Sequence, residues 1–235
     1  MPNLMKIERV ISNYTEYSRK EIKKLIKQGK VKVNQQIITE SINFDLDNDK
    51  LIIDEKAYET AKFVYLAMNK PKGVVCSHDI KEGKTIYSLL PEKYQYIKNL
   101  NTFGRLDKDT TGLIIISNDG ELNHKLTSDK HHVQKTYLVK LDQDFKKTDQ
   151  EIIEKGIDIG EKDLTKPAEL IIRDTGMVEL TIQEGKYHQV KRMFKKLNYE
   201  VIELHRIKFG NLSLNDLKEG EVIKISHSQL IKENN

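Results

Sequence analysis

The chain has 235 residues, of which 32% are charged and 37% hydrophobic, and its formal net charge is +4. That length suits one large domain or two smaller ones, each with a proper core, and the composition excludes a disordered chain. The single cysteine, Cys76, excludes an intrachain disulfide, and no apolar run is long enough to span a bilayer or serve as a signal core, so a cytoplasmic protein is expected.

Ser18-Arg19-Lys20-Glu21 has the form of a capping box, and Ile22, Leu25 and Ile26 mark one face of the helix it opens. Gly29 ends that helix. Val31-Lys32-Val33 alternates as a strand, Asn34-Gln35-Gln36 turns, and Ile37-Ile38 pairs back. A second turn at Asp47-Asn48-Asp49 leads to Leu51-Ile52-Ile53. Residues 18–32 carry a net charge of +6, with Arg19, Lys20, Lys23, Lys27 and Lys30 on faces that do not pack. Together with Lys6-Ile7-Glu8-Arg9, this helix-then-hairpin pattern resembles the S4 RNA-binding domain, which often begins Arg-Leu-Asp-Lys. The resemblance implies that these five cations contact RNA phosphates without reading sequence. Residues 54–62 are rich in Glu and Lys and show no period. The domain boundary is expected there, giving a module over 1–60 and a larger domain over 61–235.

Phe63 to Met68 reads as a strand, Asn69-Lys70-Pro71-Lys72-Gly73 interrupts it, and Val74-Val75-Cys76-Ser77 resumes it. Cys76 is expected to be a small buried hydrophobe. Further on, Gly104-Arg105-Leu106-Asp107-Lys108-Asp109-Thr110-Thr111-Gly112 precedes the apolar run Leu113 to Ile116. A run that does not alternate marks a strand buried on both faces. Asp107 therefore sits at the mouth of a buried strand, beside an arginine that favours its charged form. A carboxylate so placed can act as a nucleophile. Asn118 or Asp119 caps a short helix packing through Leu122 and Leu126.

The adjacent His131 and His132 have no Cys or further His at ligand spacing, so they are expected on the surface or against RNA, with no metal. Lys135-Thr136-Tyr137-Leu138-Val139-Lys140-Leu141 alternates, placing Tyr137 on one face with Val139 and Leu141. From periodicity alone Tyr137 is a core residue. Residues 161–168 are expected to form a loop. Val178, Leu180 and Ile182 alternate, and Glu184-Gly185-Lys186-Tyr187-His188-Gln189 turns into a helix whose apolar face is Val190, Met193, Phe194 and Leu197. Residues 186–196 hold five cations and no acid, leaving the chain outside the two basic islands at −7. Two cationic islands on an acidic body favour a polyanionic partner.

The Asp107 segment resembles the catalytic motif of the pseudouridine synthases, in the subfamily acting on small-subunit ribosomal RNA at uridine 516 of 16S rRNA. Asn69-Lys70-Pro71-Lys72-Gly73, Lys135-Thr136-Tyr137, Glu184 to Met193 and Leu204-His205-Arg206-Ile207-Lys208-Phe209-Gly210 resemble further elements of the same family, in order. The resemblance implies that Asp107 is the nucleophile and that Tyr137 contacts the target base. It also implies that a basic residue three after His188, which is Lys191, pairs with Asp107, with Arg192 or Arg105 as alternatives. Lys135, Lys186, His188 and Arg192 are candidate RNA contacts. The expected fold is α+β: a small S4-like module and a larger catalytic domain with a mixed, antiparallel-rich sheet. No cofactor is expected, because the isomerisation needs neither a redox partner nor a group donor. The expected partner is small-subunit rRNA, naked or in an assembling subunit, and no association seam is visible, so a monomer is expected.

Two rivals compete. Asp107-x-Asp109-x-Thr111 also fits the Asp-x-Asp-x-Thr signature of magnesium-dependent phosphohydrolases, but that motif follows an apolar strand, whereas here the strand comes after. The other is a non-enzymatic RNA-binding or ribosome-assembly factor with an inactive catalytic domain.

Overall fold

Ser18 accepts a hydrogen bond from the Glu21 amide while the Glu21 carboxylate takes the Ser18 amide, so the capping box closes in both directions. This is seen in a computed structural model, which describes residues 3–128 and 133–231. His131 and His132 therefore lie outside the described residues. Two compact units are formed, Met1–Val64 with Leu90–Leu100, and Tyr65–Leu89 with Asn101–Asn235.

In the first unit, β1 (Leu4–Lys6) leads into α1 (Ile7–Tyr14), and α2 (Arg19–Lys27) follows. Ile7, Val10 and Ile11 of α1 and Ile22, Leu25 and Ile26 of α2 are buried, as period 3.6 requires. Strands β2 (Val31–Val33), β3 (Gln36–Ile38), β4 (Asn43–Asp45), β5 (Leu51–Ile53) and β6 (Lys56–Tyr58) come next. Their sheet runs β3-β2-β5-β6, antiparallel throughout, and β1 pairs separately with β4. Residues 54–58, where the domain boundary was expected to begin, belong to this sheet. Asp54 and Glu55 turn at φ of 46° and 67°, and Lys56–Tyr58 pairs back on β5. The short α3 (Glu92–Gln95) also belongs to this unit, although it lies well past residue 60. Lys98 donates its amide to the Asn13 carbonyl there.

The second unit is built on one mixed sheet. Its strands are β7 (Tyr65–Lys70), β8 (Asn101–Thr102), β9 (Thr111–Ser117), β10 (Lys135–Leu141), β11 (Glu169–Asp174), β12 (Met177–Ile182), β13 (Val201–Phe209), β14 (Leu212–Ser213) and β15 (Val222–Lys224). The order is β11-β12-β10-β13-β9-β7-β15, with β14 on β13 and β8 on β9. Among the described residues every pairing is antiparallel except β13 with β9. β7 is buried along its whole length, and so is β9 beyond Thr111, as non-alternating apolar runs require. The helices are α4 (Gly120–Thr127), capped by Asp119, then α5 (Lys147–Lys155), α6 (Gln189–Lys196) and α7 (His227–Leu230). α6 buries Val190, Met193 and Phe194.

Two local expectations change. β7 runs through Asn69 and Lys70 before Pro71 stops it, and Val74–Ser77 is not a strand, since Val75 makes only an isolated bridge to Thr85. Cys76 is half-buried, and burial pushes its thiol pKa up. Among the described residues no helix is long and apolar enough to cross a membrane.

Candidate active site

The parallel pairing of β9 with β13 sets the site. Gly112 lies opposite Arg206 at φ +103°, and a Cβ there would stand 2.3 Å from the Arg206 carbonyl oxygen. Only glycine permits that approach. It lets β13 bring Arg206 beneath the loop that carries Asp107. Arg206 is 1% exposed, its Nε donates to the Leu113 carbonyl at 2.7 Å, and its guanidinium lies over the Phe209 ring. Its Nη2 has no hydrogen-bond partner among the described residues.

The Asp107 loop is held from below by Lys70, which is 0% exposed. Its ammonium donates to the Thr110 carbonyl at 2.7 Å, to Pro71 at 3.1 Å and to Lys108 at 3.4 Å. Burial pulls its pKa below the ordinary lysine range. Asp107 is partly exposed. Its Oδ2 lies 3.3 Å from Lys191 Nζ and its Oδ1 lies 3.5 Å from His188 Nε2. Lys191 also donates to Asp109 at 2.6 Å. Burial alone would favour the neutral amine, but Asp109 and Asp107 hold the Lys191 pKa above its usual value. Burial likewise pushes Asp109 up, and Lys191 more than offsets it, so Asp109 lies below the usual carboxylate range.

Lys191 is thus the group brought to Asp107. Arg192 turns elsewhere: its guanidinium bonds Glu161 at 2.7 Å, the Tyr187 carbonyl at 3.0 Å, and the Ile159 carbonyl. Arg105 is exposed and makes no ion pair with Asp107 among the described residues. The ammonium of Lys191 stands between Asp107 and Asp109, the two carboxylates of the Asp-x-Asp-x-Thr pattern. Among the described residues no group of three His, Cys, Asp or Glu could hold a metal ion.

A cavity of about 140 Å³ opens beside Asp107, with Tyr137, Ile182, Leu204, Arg206 and Lys191 in its walls. Tyr137 is a buried strand residue and a cavity residue at once. Lys135 lines the same cavity but is buried. It donates to the Val133 and Glu184 carbonyls and lies over Phe209, so it is no surface phosphate contact. Lys186 donates to the Asp163 and Leu164 carbonyls, tying the 161–168 loop to the mouth. Buried Glu184 and Gln189 latch the turn between: Gln189 donates to Glu184 at 2.8 Å and accepts the Lys186 amide. His188 enters α6 at φ 47°.

Arg206 and Lys70 are absent from the sequence-derived site. Both stand in segments that resemble the family, but a cation in a strand reads as solvated until the neighbouring strands are known. In the first unit Arg19, Lys20, Lys23, Lys27 and Lys30 are all exposed. Arg19 and Lys23 share a cleft with Lys6, Arg9 and Lys98, whereas Lys30 pairs with Asp54 at 3.1 Å.

Comparison with known proteins gives a consistent picture. The profile of the RNA pseudouridylate synthase family matches residues 64–196, and that of the S4 domain matches residues 7–46. Ribosomal small subunit pseudouridine synthase A of Haemophilus influenzae is 39% identical over 97% of this chain and 99% of its own length. Its namesake in Escherichia coli K12 is 43% identical over 71% of this chain and 72% of its own. A crystal structure of a pseudouridylate synthase covers 96% of this chain and 98% of its own at 37% identity, with a TM-score of 0.68.

Proposed function

Because the chain belongs to the RNA pseudouridylate synthase family, we propose that it converts one uridine of small-subunit ribosomal RNA to pseudouridine, at position 516 of 16S rRNA, with Asp107 as nucleophile. The observation that carries this reading is the placement of the Asp107 carboxylate between Lys191 and His188, at a cavity walled by Tyr137.

The reaction breaks the N1–C1′ bond of uridine, turns the freed base, and forms C5–C1′. N1 ends protonated and the C5 proton leaves to solvent, so no co-reactant is consumed. The target nucleotide must leave its stack, at a cost of about a few kcal/mol. The cations of α2 and of the neighbouring cleft offset that cost through phosphate contacts. Asp107 attacks the nucleotide with Lys191 beside it at 3.3 Å, a point-charge contact, since an ammonium has no planar fork. Tyr137 presents its ring or hydroxyl to the base while packing its other edge in the sheet. Arg206 sets a fixed, desolvated positive charge in the wall of the cavity, which favours a nucleotide bound there with an oxygen turned towards it.

Small-subunit rRNA labelled with tritium at C5 of uridine tests the reading, with EDTA present. Release by wild type and none by Asp107→Ala is expected. Tight RNA binding without release, from naked rRNA and from partly assembled subunits alike, would instead make the protein a non-enzymatic assembly factor.

A further inference from the structure

The turn that delivers His188 also displays Tyr187, which the isomerisation itself does not use. Tyr187 is 70% exposed, yet it is not a loose side chain. Its ring stacks on the His188 imidazole, with centroids 3.9 Å apart and planes 18° from parallel. Its carbonyl is fixed by Arg192, and the left-handed backbone of His188 orients the pair. One face of the phenol is therefore covered by an imidazole that reaches Asp107, and the other face is open.

Tyr187 lines a second cleft of about 330 Å³, together with Lys108, Val75, Cys76 and Glu82. This cleft and the Asp107 cavity share Arg105, Leu106, Asp107, Gly185, Lys186 and His188, so they are adjacent chambers with a common wall. Arg105 and Lys108 stand at the second chamber exposed, and neither has an ion-pair partner among the described residues.

We propose that this second chamber is a nucleotide subsite, in which a base flanking the target uridine stacks on Tyr187 and Arg105 and Lys108 take the adjoining phosphates. The inference rests on the reading that the Asp107 cavity receives a flipped uridine. Once that base leaves the helix stack, its neighbour has an exposed face that water solvates poorly. An aromatic ring beside the cavity replaces the lost stacking partner. Single-stranded RNA is commonly held in this way, by a π-face backed by cations. The platform acts on binding: it holds the opened RNA and places no group on the reacting atoms.

The chain has no tryptophan, so Tyr187→Trp introduces a single indole whose emission reports directly on this face. Titration with small-subunit rRNA transcript is expected to quench it as the RNA saturates the protein, with saturation followed independently by filter retention. In turnover, Tyr187→Ala is expected to raise KM for the rRNA by about 10-fold to 100-fold, the usual worth of one stacked base, and to lower kcat less than twofold. Tyr187→Phe, which keeps the ring, is expected to restore KM. An unquenched indole at saturation, or an unchanged KM in Tyr187→Ala, would overturn the subsite. A loss confined to kcat would also overturn it, because Tyr187 would then be acting only through His188. Failure of the wild type to form pseudouridine would sink the reading of the main cavity instead, while the indole would still report whether RNA lies on Tyr187.

Discussion

Lys191 donates to Asp109 across 2.6 Å, which joins α6 to the loop carrying Asp107. Asp107, the proposed nucleophile, is the more distant partner at 3.3 Å. Asp109 therefore anchors the ammonium, and the remaining charge is directed at Asp107. Lys191→Met is expected to lower kcat by about 10²–10³-fold, the scale of removing one preorganised charge from an active site. Asp109→Asn frees Lys191 for Asp107 and is expected to stay within about tenfold of wild type. Single-turnover tritium release measures both.

Gly112 allows no substitution. Alanine would combine backbone strain of about 1–3 kcal/mol at φ +103° with overpacking of about 1–3 kcal/mol against the Arg206 backbone. Gly112→Ala is expected to lose about 3 kcal/mol or more of stability in urea unfolding. A shift under 1 kcal/mol would mean that β13 moves freely away from β9.

Lys70→Met keeps much of the volume but leaves the Thr110 and Pro71 carbonyls without the Lys70 donor, while the Lys108 carbonyl keeps the Gly73 amide at 2.8 Å. A single orphaned acceptor costs about 1–3 kcal/mol. The variant is expected to be destabilised by at least that amount, with the Asp107 loop exchanging its amide protons faster than in wild type. Hydrogen exchange resolved by residue checks the second point.

His205 shares a hydrogen bond of 2.7 Å with Thr111, and burial holds its pKa below the usual 6.5, with Glu219 a smaller opposing influence. Its folded pKa is depressed, so the unfolded chain binds the proton first. The contribution to stability is complete above pH 6.5 and is lost as pH falls below it through the folded value. Urea midpoints taken down this range should fall in wild type and flatten in His205→Gln.

Phosphate binding by α2 would appear as salt dependence. Neutralising Lys23 and Lys27 together is expected to weaken RNA binding and to flatten the slope of log K against log salt by about 0.7–0.9 for each phosphate no longer neutralised. An unchanged slope would remove α2 from the RNA interface.

What could be read in the sequence was whatever is encoded locally. The capping box and apolar stripe of 18–27 specify α2, and the unbroken apolar run after Gly112 specifies a strand covered on both sides. The α+β class and the antiparallel-rich sheet came from the family resemblance that the motifs carry, since such segments do not fix strand direction. Leu90–Leu100 was not legible as part of the first unit, because its partners, Asn13 among them, lie far away in sequence. β6 was missed because Asp54-Glu55 turns without glycine and Lys-Ala-Tyr has no apolar alternation. At the site, the order of motifs pointed to Asp107, Tyr137 and Lys191. It could not distinguish Lys191 from Arg192, since adjacent residues on a helix differ by about 100° of azimuth. Only Glu161 and Ile159, far off in the chain, decide which one turns inward. The burial of Lys135 and Arg206 was hidden for a similar reason: a cation in a strand reads as solvated until the neighbouring strands are known.

The parallel seam between β9 and β13 joins positions 94 residues apart, Thr111 and His205. A growing chain presents Asp107 long before Lys191 and Arg206 have been synthesised. Until Val201–Phe209 leaves the exit tunnel, the Asp107 strand has an empty flank and its carboxylate lacks a settled neighbour. An enzyme whose proposed substrate is ribosomal RNA would therefore stay unarmed until α6 and Val201–Phe209 have been made, and become competent only once that strand closes on β9.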